Sequence, residues 1–196
     1  RSGRLSRGSM TRTIQALRIC QQKLKRHGVK RMRLVATEAC RRALNAHEFI
    51  IRVQRETGLH LDIIEPEEEA RLAVISCAPL VSRGTENLLV VDIGGGSTEL
   101  VWIDLSQVPK HDRPEAIMRL HTGFKKGLSN VPEARVVDWI SVPLGVATLR
   151  EHFNDVEDDA ARFALMSWYF EENLANFSPY HTAAPTEQFQ IVGTSG

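Results

Sequence analysis

The 196-residue chain has only three cysteines, Cys20, Cys40 and Cys77, and no two of them form a C-x-x-C pair. That usage points to a reducing, cytoplasmic compartment. The seven histidines include no H-E-x-x-H pattern, which argues against a zinc hydrolase. No apolar run approaches the length of a membrane span, and no stretch has the pattern of a signal peptide. With 42% hydrophobic and 25% charged residues, the composition is that of an ordinary soluble globular protein of one or two domains. Acidic residues are scarce at the start. Residues 1–55 carry fifteen Lys/Arg against Glu38 and Glu48 alone, and the rest carries ten against twenty-two. Such asymmetry fits a polyanion track beside a metal-binding half, or two solvated faces of opposite sign.

What the chain does have is Asp92-Ile93-Gly94-Gly95-Gly96-Ser97-Thr98-Glu99, set between Leu88-Leu89-Val90-Val91 and Leu100-Val101-Trp102-Ile103. This reads as strand, glycine turn, strand. Three successive glycines permit positive φ and let backbone N–H groups converge on a ligand with no side chain in the way. Asp92 and Glu99 flank the turn with hard oxygen ligands suited to Mg²⁺. Amides for phosphate oxygens beside carboxylates for a divalent cation make a phosphoryl-transfer site. A Walker loop would need Lys-Ser/Thr and then a helix, and a dinucleotide loop would need one more glycine. A ligand-free hairpin needs neither the third glycine nor the two acids.

Elsewhere, 9–27 reads as an amphipathic helix from Ser9 to Gly28, with Met10, Ile14, Leu17 and Leu24 on one stripe. A strand over 32–37, helices at 38–45 and 47–57, and a strand over 59–64 follow. Pro66 opens a helix over 67–76 whose three leading acids suit the helix dipole. Residues 79–87 form a turn-rich domain boundary. The segment 105–135 has no clear period, although 116–120 reads as a strand. A strand over 136–142, a tight exit at Pro143-Leu144-Gly145, helices at 146–153 and 157–175, and a strand over 189–192 complete the chain. Trp102, Trp139 and Trp168 sit in apolar patterns and read as core.

In this order the pieces resemble the exopolyphosphatase/guanosine pentaphosphate phosphatase family. Ala36-Thr37-Glu38-Ala39-Cys40-Arg41 resembles its Ala-Thr…Arg segment. Glu68-Glu69-Ala70-Arg71 resembles its Glu-Glu-Ala-Arg signature. Asp92 to Glu99 matches its phosphate loop, and Pro143-Leu144-Gly145 and Gly193-Thr194-Ser195-Gly196 match two later glycine positions. The resemblance implies an α/β fold of the ribonuclease-H-like actin/sugar-kinase/chaperone-ATPase superfold, with two lobes around a cleft. The expected lobes are 1–84, lacking an N-terminal phosphate loop and strands, and 85–196, lacking its C-terminal part. The chain thus reads as part of a longer protein, and 105–135 is longer than the family's connection there.

The implied activity is Mg²⁺-dependent release of terminal phosphate from inorganic polyphosphate or guanosine pentaphosphate. Competing readings are an ATP-using kinase or ATPase of the same superfold and a non-catalytic polyphosphate or nucleotide sensor. By resemblance Glu69 orients the attacking water, whereas Glu67 and Glu68 are helix-start acids. Gly94, Gly95, Gly96 and Ser97 supply amides, and the Ser97 hydroxyl adds a contact. Asp92 and Glu99 hold the metal. Arg41 is a phosphate clamp or a surface arginine, and Thr37 a weaker hydroxyl contact. Gly145 and Gly193 are backbone-approach glycines of the cleft or ordinary turn residues. Arg71 shares no helix face with Glu69 and reads as structural. The resemblance leaves room for a homodimer and implies neither a membrane nor a nucleic-acid partner.

Overall fold

The computed structural model describes residues 3–120, 133–182 and 188–195. The middle of the 105–135 segment and Gly196 lie outside the described residues. The chain forms two compact units, Arg1–Glu65 and Pro66–Gly196.

In the first unit, helix α1 (Arg7–Arg26) begins at Ser6, whose hydroxyl accepts the Ser9 N–H at 3.0 Å. Strand β1 (Val35–Ala36) leads into α2 (Glu38–Arg42), α3 (Ala46–Thr57) and β2 (Asp62–Ile63). Met10 and Ile14 of α1 are buried in one cluster with Phe49 and Val53 of α3, joined by Cys40 and Leu59. Burying each such aliphatic or aromatic side chain contributes about 1.5–3 kcal/mol, enough to hold helices of modest intrinsic stability. Gly58, at φ 71°, ends α3 in the left-handed conformation that glycine adopts without strain. The strands β1 and β2 pair in parallel over two residues each, so the two strands expected over 32–37 and 59–64 are real but short.

The second unit starts with α4 (Pro66–Cys77) and a 3₁₀ turn over Ala78–Leu80. Then come β3 (Asn87–Ile93), β4 (Thr98–Asp104), α5 (Arg113–Met118), β5 (Arg135–Val142), α6 (Val146–His152), α7 (Asp159–Leu174), α8 (Ser178–Thr182) and β6 (Phe189–Ser195). The sheet runs β5-β4-β3-β6, with β3 antiparallel to β4 and parallel to β6. Ala70, Val74 and Cys77 of α4 recur at helical spacing and join Leu88, Val90, Val101 and Ile103 of the sheet in one buried cluster. This burial makes α4 part of the unit Pro66–Gly196.

Two local expectations differ from the structure. Residues 116–120 do not form a strand; Arg113–Met118 is a helix, with Pro114 in its first turn. Arg113, Ala116 and Ile117 recur at i, i+3 and i+4 and are all buried, and Arg113 donates to the carbonyls of Val108 and Arg83. Too few residues sample that period for it to stand out in the sequence. Trp168 is 58% exposed on α7, outside the core, whereas Trp102 stacks on Phe189 at 5.0 Å between ring centres.

Candidate active site

The sheet's alternation delivers two acids to one place. In β3, Leu88 and Val90 face the buried cluster, and Asp92 is the next residue of that row. In β4, Ile103 and Val101 face it, and Glu99 is next. The hairpin register sets Asp92 directly opposite Glu99. Like charges facing each other across a ladder destabilise it, by on the order of 1 kcal/mol. Glu99 is also 1% exposed. Burial raises the proton affinity of its carboxyl, and the negative charges of Glu69 and Asp92 raise it further. Hydrogen bonding from the hydroxyls of Ser97 and Ser141 pulls the other way, Ser141 donating to Oε1 at 2.8 Å. Glu99 Oε2 is buried and accepts no hydrogen bond from the described residues. Glu69, in the first turn of α4, is thus within electrostatic reach of the pair. Asp92 accepts a hydrogen bond from the Thr194 hydroxyl of β6 and adds to the raised proton affinity of buried Cys77 at the other end of α4, behind the effect of burial.

The turn between the acids is built differently from the sequence expectation. Positive φ occurs at Gly3, Gly28 and Gly58 among the described residues, not at the turn glycines. The Gly94 N–H donates to Ser97 O at 3.0 Å, so this amide closes the turn and is not offered to a ligand. The amides of Gly95, Gly96 and Ser97 donate to no backbone carbonyl of the described residues. The turn carbonyls are held by α6: Val146 N–H donates to Gly94 O at 3.0 Å and Ala147 N–H to Gly95 O at 2.8 Å. Thr98 Oγ1 donates to Leu144 O at 2.7 Å and ties the end of β5 to the hairpin. Gly145 has an extended backbone, so its need for glycine is one of space. A Cβ there would stand closer than 3.0 Å to backbone atoms of Gly94, Gly95 and Gly96.

The structure therefore brings Glu69, Asp92, Glu99, the glycine turn and Gly145 together in one unit. Gly193 sits in β6 opposite Val91, where a Cβ would meet nothing nearer than Val91 O at 4.0 Å, so no crowding requires glycine there. Thr37 and Arg41 belong to the first unit. Thr37 O accepts the N–H groups of Cys40 and Arg41, and Arg41 Nη1 donates to Ile64 O at 2.6 Å, which ties α2 to the end of β2. Arg71 is structural, with Nε and Nη2 on Glu68 at 2.7 and 2.9 Å and Nη1 on Leu120 O at 3.1 Å. Sequence reading missed Ser141 and Thr194, whose hydroxyls donate to the two acids. Ser141 and Thr194 stand opposite Glu99 and Asp92 in neighbouring strands, a signal that becomes visible only once the strand register is known.

The donor set suits a hard divalent cation: two facing carboxylates, one with a buried oxygen that has no hydrogen-bond partner among the described residues, and amides beside them. Among the described residues no three His, Cys, Asp or Glu side chains form a metal cluster of their own.

A model of the Ppx/GppA phosphatase family matches residues 1–196. Guanosine-5'-triphosphate,3'-diphosphate pyrophosphatase of Aeromonas salmonicida is 33% identical over 161 residues, 82% of this chain and 27% of that protein. The Aquifex aeolicus Ppx/GppA family member has a solved structure that is 32% identical, with TM-score 0.63, covering 100% of this chain and 52% of that one. An exopolyphosphatase structure from Cytophaga hutchinsonii, 24% identical, shares the fold with TM-score 0.73, covering 99% of this chain and 53% of that one. The α/β, actin-like superfold expected from the sequence is thus the fold of these structures. The chain spans about half the length of the solved relatives and 27% of the curated one.

Proposed function

Because the chain belongs to the Ppx/GppA phosphatase family, we propose that it carries the phosphoryl-transfer site of an Mg²⁺-dependent phosphohydrolase. The enzyme releases terminal phosphate from inorganic polyphosphate or guanosine pentaphosphate. The observation that carries this reading is the facing pair Asp92 and Glu99 at the foot of the glycine turn, with Glu69 in electrostatic reach. A facing pair of carboxylates, Glu99 buried and Asp92 half-buried, is hard to explain as a stabilising feature and easy to explain as a cation site.

Asp92 and Glu99 would hold Mg²⁺, which when bound neutralises phosphate charge. The amides of Gly95, Gly96 and Ser97 bind the oxygens of the terminal phosphoryl group, on which negative charge is spread in the transition state. Glu69 orients a water and accepts its proton. The water oxygen forms a bond to the terminal phosphorus as the bridging P–O bond breaks, and the bridging oxygen leaves with the electron pair on the shortened chain. Thr37 and Arg41 are proposed as further phosphate-binding residues, and a reducing cytoplasm suits the three free thiols.

Phosphate release from polyphosphate, guanosine pentaphosphate and ATP, each with and without Mg²⁺, tests the reading. Release from either of the first two that requires Mg²⁺ and is lost in Asp92→Asn is expected. Turnover of ATP alone, or Mg²⁺-independent turnover unchanged in Asp92→Asn, would overturn it.

A further inference from the structure

The short helix α6 does more than follow β5. Its first amides are used up on the glycine turn: Val146 N–H on Gly94 O, Ala147 N–H on Gly95 O, and Thr148 N–H on Gly95 O at 3.3 Å. Thr148 completes the set with its side chain. Its hydroxyl oxygen accepts the Gly145 N–H at 2.7 Å and lies within donating distance of Gly96 O, at 3.3 Å, and of Gly145 O, at 3.2 Å. The carbonyls of Gly94 and Gly95 are thus anchored on α6, and the single hydroxyl proton of Thr148 goes to Gly145 O or to Gly96 O, the second arrangement holding the third glycine carbonyl on the same side. A peptide plane carries its C=O and N–H on opposite edges. Anchoring the carbonyls of Gly94, Gly95 and Gly96 on α6 therefore turns the amides of Gly95, Gly96 and Ser97 away from it. Gly145 permits the approach, since any Cβ there would strike the turn backbone.

We propose that Thr148 is a positioning residue of the phosphohydrolase reaction. Its hydroxyl, bridging Gly145 N–H and Gly96 O, fixes the peptide orientation of the glycine turn so that its amides stay aimed at the phosphoryl group. This rests on the reading of the turn as the phosphate cradle. Thr148 touches neither substrate nor metal and acts through the turn. A glycine triplet is otherwise the part of a site most free to rotate its peptides. Pre-aimed donors are effective because they need no reorganisation during the reaction. A hydroxyl is required at this position, so valine, which keeps the branched shape, removes the function, and serine keeps it.

The test compares the protein with its Thr148→Val and Thr148→Ser variants by two readouts: kcat on the substrate cleaved, and the ¹⁵N–¹H signals of Gly95 and Gly96 with and without orthophosphate. In Thr148→Val, kcat should fall by about 10- to 100-fold, the loss expected when donors are misaimed, with the melting temperature and the Mg²⁺ dependence retained. The two glycine amide signals should move in the valine variant and stay near their parent positions in the serine variant. Parent-like kcat and glycine signals in Thr148→Val would overturn the proposal, as would equal losses in both variants. Where the parent hydrolyses no phosphoanhydride, the phosphohydrolase reading fails by itself. The glycine signals then decide the positioning role alone: moved in valine and restored in serine supports it, and unmoved in valine refutes it.

Discussion

Glu99 is the most informative single side chain. It is fully buried, faces Asp92, and has one oxygen with no hydrogen-bond partner among the described residues. Its pKa is raised, first by burial and then by its acidic neighbours, so the folded state keeps a proton that the unfolded chain releases near the ordinary Glu pKa of about 4.3. Between that value and the folded pKa, the native state binds more protons than the unfolded state. This residue's contribution to stability therefore falls as pH rises through that window and is flat above it. Glu99→Gln should remove this slope and raise the melting temperature at neutral pH without divalent ions. Each ~1 kcal/mol is worth about 2–4 °C in a chain of this size. Added Mg²⁺ should raise the melting temperature of the parent and not of the variant. Thermal melts across pH, with and without Mg²⁺, check both. A Glu99→Gln variant less stable than its parent in the absence of metal would show that the carboxylate serves the fold and not a cation.

The hairpin and α6 act as a pair of elements; each is visible in the sequence, but their contact is not. Continuous apolar runs on both sides of the glycine triplet mark β3 and β4, and the hairpin sets Asp92 and Glu99 in register. Nothing local tells that α6 will dock on the turn, because that contact depends on the exit angle of β5 after Leu144. The positive φ expected of the glycines proved to be a matter of close approach instead. Gly145→Ala should accordingly be costly, by about 1–3 kcal/mol, the usual penalty for overpacking, and should depress turnover because the turn must move. Gly193→Ala, in an open ladder position, should melt close to the parent. Chemical denaturation of the two variants checks the contrast, and equal destabilisation would contradict the crowding argument. Other elements, such as α5, were hidden because part of what holds them is distant in sequence: Arg113 reaches back to the carbonyl of Arg83.

Fold class and the acids and glycines of the candidate site were legible because a glycine turn between two acids is a local pattern of the sequence. The packing of α4 was not, since its apolar residues meet a sheet formed by later residues. The charge asymmetry survives folding as exposed Arg12, Lys25 and Arg26 on α1, with Arg18 paired to Glu56 at 2.8 Å. If these cations guide a polyanion, long-chain polyphosphate binding should weaken with added salt. Charge reversal at two or more of Arg12, Lys25 and Arg26 should then weaken long chains more than short ones. Equal effects on both lengths, measured by competition binding, would leave them as a solvated face.

The first turn of α4 allows the sharpest comparison, because Glu68 and Glu69 are adjacent and chemically identical. Glu68 is engaged by Arg71 through two hydrogen bonds, whereas the charge of Glu69 is felt by Glu99. The decisive measurement is hydrolysis under single-turnover conditions, with substrate and Mg²⁺ affinity measured in parallel, for Glu69→Gln and Glu68→Gln. Glu69→Gln should bind normally and hydrolyse about 10²–10⁴-fold more slowly, since glutamine keeps the shape but takes no proton from water. Glu68→Gln should lower the melting temperature and keep its turnover. Normal hydrolysis in Glu69→Gln, or the same loss in both variants, would contradict the assignment of Glu69 as the residue that activates water.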